Sequence, residues 1–202
     1  MAMRSSTKDR QMRQRIAQEA ARIMAEQAVP DFYAAKRKAA ERLGAADTRN
    51  LPRNTEVEDA LIEYQRLFQG ESQARHLRDL RRAALEAMRF LSRFRPRLVG
   101  SVLRGTAHAH SDVNLHVFAD APEDVAFFLM DEGVPYETAD RRLRQSADAS
   151  EVAPVYRFIA GGVTIDLTVF PPSRLRQAPL SPINGKPMER AHARAVEALL
   201  GE

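Results

Sequence analysis

Cysteine and tryptophan are both absent from this 202-residue chain. Without thiols there is no disulfide, no thiolate metal site and no cysteine nucleophile. Aromatic residues make up only 6% of the chain, so a core has to be built mainly from aliphatic side chains. No apolar run approaches the roughly 20 residues that a bilayer-spanning helix requires. The opening MAMRSSTKDRQMRQR is charged, with no apolar stretch behind it, unlike a secretory signal. The expectation is a cytoplasmic protein with no membrane partner. What is present, 44% hydrophobic and 29% charged residues, is the balance of a globular protein and argues against wholesale disorder. The length suits one core with a helical appendage better than two ordinary domains.

The net charge of +4 is unevenly placed. Up to Ala45 there are ten Lys and Arg against five Asp and Glu, a local balance of +5 that leaves −1 for the rest. A basic arm of this kind can contact nucleic-acid phosphates. No aromatic series or recognition motif accompanies the charges, and a solvated helix face is the plainer reading.

The first half of the chain reads as helix. Residues 8–28 carry Ile16, Ala20, Ile23 and Met24 at helical spacing, and DFYAAKRKAAERLG follows Pro30. The periodicity of both is weak, which suggests an extended or partner-dependent arm. Thr55 and Glu58 have the spacing of a capping box ahead of the stripe Val57, Leu61, Tyr64, Leu67 and Phe68. A further helix is predicted from Ser72 to Phe94. After Pro96 the period changes to two. RLVGSVL reads as a short strand, and SDVNLHVFA alternates, with Val113, Leu115 and Val117 opposite Asp112, Asn114 and His116. A helix begins at Pro122, PYETADRRLRQ reads as an exposed strand, and PVYRFIA-GG-VTIDLTVF is a hairpin about two glycines. MERAHARAVEALL closes the chain as an amphipathic helix. The predicted class is α+β, a mixed β-sheet with flanking helices preceded by a helical N-terminal region. The expected divisions are a basic arm (1–50), a helical segment on the core (51–95), an α+β domain (96–172) and a C-terminal loop and helix (173–202).

The chemistry concentrates in GSVLRGTAHAHSDVNLH, residues 100–116. HAHSD places His108, His110 and Asp112 at alternating positions, the beginning of a zinc-hydrolase cluster. However, Val113 stands where a further His would continue it, and the other histidines are His76 and His192 on predicted helices and His116 on a strand. A catalytic zinc needs about three convergent ligands and an open position. The second reading takes the glycines and the strand together. Gly100-Ser101 and Gly105 form a turn where backbone N–H groups can approach phosphate. Residues 112 and 114 of the next strand share a face, as two ligands of a divalent cation would.

Gly100-Ser101, Gly105 and Ser111-Asp112-Val113-Asn114-Leu115, followed by Asp166 in VTIDLTVF, resemble the signature of the nucleotidyltransferase superfamily, in particular the minimal nucleotidyltransferases with the DNA polymerase β-like fold. The resemblance runs from about Leu98 to Phe170. It implies that Gly100, Ser101, Arg104, Gly105 and Ser111 hold a nucleotide's phosphates. It also implies that Asp112, Asn114 and Asp166 hold Mg²⁺, with Asp112 and Asp166 catalytic. The implied activity is transfer of a nucleoside monophosphate from an NTP to a hydroxyl acceptor; the alternative is an inactive module of the same fold that binds a nucleotide or a partner. The departure is Asn114, which stands where the family has a second Asp. Asn is neutral, whereas bridging two divalent ions is a carboxylate's task, so an Asp at 114 would complete a metal-binding set. Other readings remain beside these. His116 can be a ligand, a base or a hydrogen-bonded core histidine. Asp166 can pair with a nearby Arg such as Arg157. Arg141, Arg142 and Arg144 can steer a polyphosphate or keep an edge strand soluble.

Overall fold

The computed structural model describes residues 2–48, 50–68, 70–108, 111–146 and 148–201, with side chains from residue 7 onward. The chain divides into two units: Met1–Gln73 with Pro182–Asn184, and Ala74–Ser181 with Gly185–Glu202. The class is α+β, with helices leading into a mixed five-stranded sheet. Among the described residues no helix is long and apolar enough to cross a membrane.

The first unit contains α1 (Ala2–Gln27), α2 (Phe32–Arg42) and α3 (Asn54–Phe68). These helices are not an extended arm. They share a core in which Ile16, Ile23, Val57 and Leu61 interleave with Ala20, Ala21, Ala35, Ala39 and Ala40. Alanine lets helix backbones approach closely but adds little to an apolar stripe, so the periodicity in the sequence is weak although the packing is complete. Much of the basic charge is also spent inside the unit. Arg13 clamps Glu56, Arg42 meets Glu19 at 3.0 Å, and Arg22 lies beside Glu19 and Glu26. Lys36 donates to the Pro52 carbonyl and to Asn54 Oδ1, and Arg37 to the Ala46 carbonyl. The expected Thr55–Glu58 cap is replaced by one two residues earlier. Because α3 starts at Asn54, Glu56 is the residue that reaches back, and it accepts the Arg53 backbone N–H at 2.6 Å.

The second unit is built on β1 (Arg97–Val99), β2 (Val113–Phe118), β3 (Glu137–Arg144), β4 (Ser150–Ala160) and β5 (Val163–Phe170), in the order β1-β2-β5-β4-β3. β2 and β5 run parallel, and the other pairings are antiparallel. The hairpin between β4 and β5 turns at Gly161 and Gly162, with φ of +58° and +80°, the two positive values that a tight hairpin turn demands. The strand expected through Leu103 stops at Val99, and Gly100–Arg104 form a short helix, α5. The helix expected to reach Phe94 ends earlier: α4 spans Gly70–Phe90. A 3₁₀ turn, Ser92–Phe94, then leads to a left-handed Arg95 before Pro96.

Alternation in the strands gives the sheet two different faces. Leu98, Val113, Leu115, Val117, Ile165, Leu167 and Val169 pack with Leu80, Leu85 and Met88 of α4 and with Leu91 just after it. The same core takes in Val125 and Leu129 of α6 (Glu123–Asp131) and Val196 of α7 (Ala193–Ala198). The opposite face carries Asn114, His116, Asp166, Thr168, Arg157 and Arg141. At its far end it has a small apolar cluster of Phe118, Ala153 and Phe170 with Leu143 and Leu175.

Candidate functional site

Strand register brings the predicted residues into two rows on the second face. Asn114 on β2 pairs with Asp166 on β5, which pairs with Arg157 on β4, which pairs with Glu137 on β3. In the next row Arg97 on β1 pairs with His116, which pairs with Thr168. Gly100 follows directly on Val99, the partner of Asn114, and has φ of +78°. A Cβ built there would lie 3.6 Å from Asn114 Nδ2. There is room for it, so the left-handed backbone is what calls for glycine. Gly100 therefore lies beside Asn114, and Asn114 beside Asp166, on adjacent strands.

Asp166 is 1% exposed, and what buries it is arginine. Arg141 reaches in from the edge strand β3 and forks onto the carboxylate, Nη1 to Oδ1 at 2.9 Å and Nη2 to Oδ2 at 3.0 Å. Arg157 Nη2 adds a third bond to Oδ2 at 3.0 Å. The same Arg141 Nη1 donates to Thr168 Oγ1 at 3.1 Å and makes a longer 3.4 Å contact with Asn114 Oδ1. The hydrogen bond to Asp166 is the largest influence holding the Arg157 pKa above its ordinary value, with the charges of Asp166, Asp112 and Glu137 adding to it. Charge-assisted, bidentate bonds of this kind are the strong ones.

This donor set does not fit a divalent cation. Both oxygens of Asp166 are engaged by guanidinium groups, and Asn114 turns its oxygen toward Arg141 and its nitrogen toward the Asp112 carbonyl at 3.2 Å. Among the described residues no three His, Asp or Glu side chains converge as metal ligands. The positive charge that this face presents to Asn114 and Asp166 is already supplied by Arg141.

The remaining predicted residues are distributed around this centre. Asp112 lies just before β2, half-buried, and near enough to Arg157 to affect its titration. Ser111 Oγ accepts the His108 N–H at 3.0 Å, and the Ser111 N–H donates to the His108 carbonyl. Ser101 lies in the first turn of α5, and its carbonyl accepts from the N–H groups of Gly105 and Thr106. Gly105 has φ of +84° and ends α5, facing Leu77 and Arg81 of α4; that placement is explained by the helix stop. Arg104 is half-buried at the end of the same helix. His110 lies outside the described residues. His76 is on α4, and His192 caps α7, accepting the Ala195 N–H at Nδ1.

His116 is 2% exposed, and its pKa is pushed down to about 3, first by burial and then by the charges of Arg190 and Arg141. Its Nδ1 accepts from Arg190 Nε at 2.9 Å, so the ring is neutral with its proton on Nε2. Sequence reasoning missed Arg190, which lies 74 positions away in the chain. Ala191 exchanges both backbone bonds with Leu98 of β1 and is buried in the helix-side core. Its neighbour Arg190 consequently falls on the opposite face, over Phe118 and Phe170 at 5.1 and 5.2 Å from their ring centres.

Comparison with known proteins gave no match of three kinds: no family model, no curated protein and no solved structure. Function is therefore inferred from the chemistry of this face.

Proposed function

We infer that this protein is a nucleotidyltransferase-like module that binds the phosphates of a nucleotide through arginine, with no divalent metal ion, and does not catalyse transfer. The observation that carries this reading is the Arg141 fork across Asp166, Thr168 and Asn114. Two guanidiniums converge on one buried carboxylate at a half-exposed position, with Asp112 and Glu137 as the other charges near Arg157, and guanidinium forks are suited to an anion. The left-handed Gly100 beside Asn114 supports the turn-and-strand arrangement that the sequence motif implies. That same arrangement, with Asp112 near it, favours the second reading, Mg²⁺-dependent transfer of a nucleoside monophosphate to a hydroxyl. Transfer would require Asp166 to exchange Arg141 and Arg157 for metal. Nucleic-acid binding by the N-terminal helices is less supported, because Arg13, Arg22, Lys36, Arg37 and Arg42 are engaged within their own unit.

The test is ATP binding by calorimetry in EDTA and in Mg²⁺, with labelled NTP incubations alongside. The expected result is equal affinity in both buffers, loss of about tenfold in Arg157→Gln, roughly 1.4 kcal/mol, and no label transferred. Binding that requires Mg²⁺, or label transfer abolished by Asp112→Ala, would favour the enzyme instead.

A further inference from the structure

We propose that Arg190, with Arg97 and Arg174, forms a second site on this face, for a tetrahedral oxyanion such as phosphate or a terminal phosphoryl group. The inference is independent of the Asp166 centre and does not rest on the module's nucleotide-binding role. Arg190 is a half-buried cation whose guanidinium tip is enclosed. Nε is used by neutral His116, and Nη1 by the carbonyls of Arg174 at 2.7 Å and Leu175 at 3.3 Å. Nη2 has no accessible surface and no hydrogen-bond partner among the described residues. No carboxylate forms a salt bridge with Arg190 among the described residues. Phe118 and Phe170 supply aromatic faces but no counter-charge. A buried charge normally comes with a paired opposite charge or a bound ion.

Instead of an anion, Arg190 has other cations as neighbours. Arg97 stands opposite His116 across the β1–β2 ladder, and Arg174 supplies one of the carbonyls that hold Nη1. Both arginines, after burial itself, push the Arg190 pKa down to about 10. Arg174 has Glu151 as partner at 2.6 Å, while Arg97 bonds only to the carbonyls of Arg95 and Pro96 among the described contacts. Three guanidiniums with one carboxylate leave two positive charges around an unpaired N–H. A tetrahedral oxyanion offers several acceptors for such donors, and arginine forks match its geometry. Because Nη2 is enclosed, the anion enters by a shift of the long, half-buried side chains of Arg97 or Arg174.

The experiment titrates inorganic phosphate into the full chain in EDTA at constant ionic strength. The arginine Nε–H resonances are followed by NMR, and thermal unfolding is recorded in parallel. The expected result is a saturable shift of the Arg190 signal below about 10 mM phosphate, together with a rise in Tm. Arg190→Gln is expected to weaken binding at least tenfold, whereas Arg157→Gln, at the Asp166 centre, changes it less than twofold. If Arg190→Gln does not fold, Arg97→Gln replaces it and is expected to weaken binding severalfold while the Arg190 resonance remains observable. A parallel ATP titration in EDTA identifies the source: Arg190-dependent binding tighter than that of phosphate marks a nucleotide's phosphoryl group, and equal binding marks the free ion. An Arg190 signal that does not saturate, or phosphate binding that both variants leave intact, overturns the site. Loss in Arg157→Gln with none in Arg190→Gln also overturns it, while leaving the Asp166 centre standing.

Discussion

The two faces of the sheet are made from alternate residues of the same strands, and each encloses its central residues by opposite means. On the helix side, Val113, Leu115, Ile165 and Leu167 are fully enclosed by other apolar side chains. On the other side Asp166, Thr168 and His116 are just as enclosed, but by the arginines of β3, β4 and the 188–192 segment. The first face gains stability from apolar area removed from water. The second must balance desolvation of charge against pairing, a balance that often comes out near zero.

Truncation on each side gives the largest effects and separates the two mechanisms. Leu167→Ala leaves a cavity in the helix-side core and should cost about 2–5 kcal/mol, insensitive to salt. Asp166→Ala leaves two guanidiniums facing each other; removing one partner of a buried pair costs about 3–5 kcal/mol. Since Arg157 is 40% exposed and screened, the lower end is expected here. Added phosphate should restore part of that loss by standing in for the carboxylate, over and above the rise that phosphate at Arg190 gives wild type and Leu167→Ala alike. Urea melts with and without phosphate measure both. Equal phosphate responses in the two variants would erase the distinction between the faces.

Acid comes next. His116 has a folded pKa of about 3 against an ordinary value of 6.5. Between those values the unfolded chain binds a proton that the folded chain does not. The contribution is therefore fully present above about pH 6.5 and is lost as pH falls toward 3, with each pKa unit worth about 1.4 kcal/mol. His116→Gln, which retains an acceptor for Arg190, should lose less stability than wild type between pH 6.5 and 4. Parallel pH profiles for the two proteins would contradict the neutral ring.

The smallest effect lies at the turn. Gly100→Ala has space for its methyl group but must hold φ of +78°, so a loss of about 1–2 kcal/mol is expected from backbone strain alone. A loss much larger than this in thermal melts would mean that Asn114 is crowded by the new methyl group, and that the contact rather than the backbone calls for glycine.

Much of this arrangement was legible in the sequence where local rules apply. Period-two alternation separated Val113, Leu115 and Val117 from Asn114 and His116. The Gly161-Gly162 turn even fixes the register that sets Arg157 opposite Asp166. Arg141 was seen only as part of a basic edge strand. Its reach to Asp166 depends on strand order, which no spacing encodes. Arg190 was invisible for the same reason, since a single bridge between Ala191 and Leu98 decides its side. The alanine core of α1–α3 was underestimated because small residues give a faint periodicity.

Mn²⁺ titration of wild type and Asn114→Asp, by calorimetry with thermal melts, tests most directly whether a guanidinium fills the role of the metal. A guanidinium-filled centre predicts no saturable Mn²⁺ binding in either protein. It also predicts a higher melting temperature for Asn114→Asp, whose new carboxylate gains Arg141 as partner. Saturable Mn²⁺ binding by wild type, or binding that appears in Asn114→Asp and is lost on adding Asp166→Ala, would mean that the face was built for a metal and that Arg141 gives way to it.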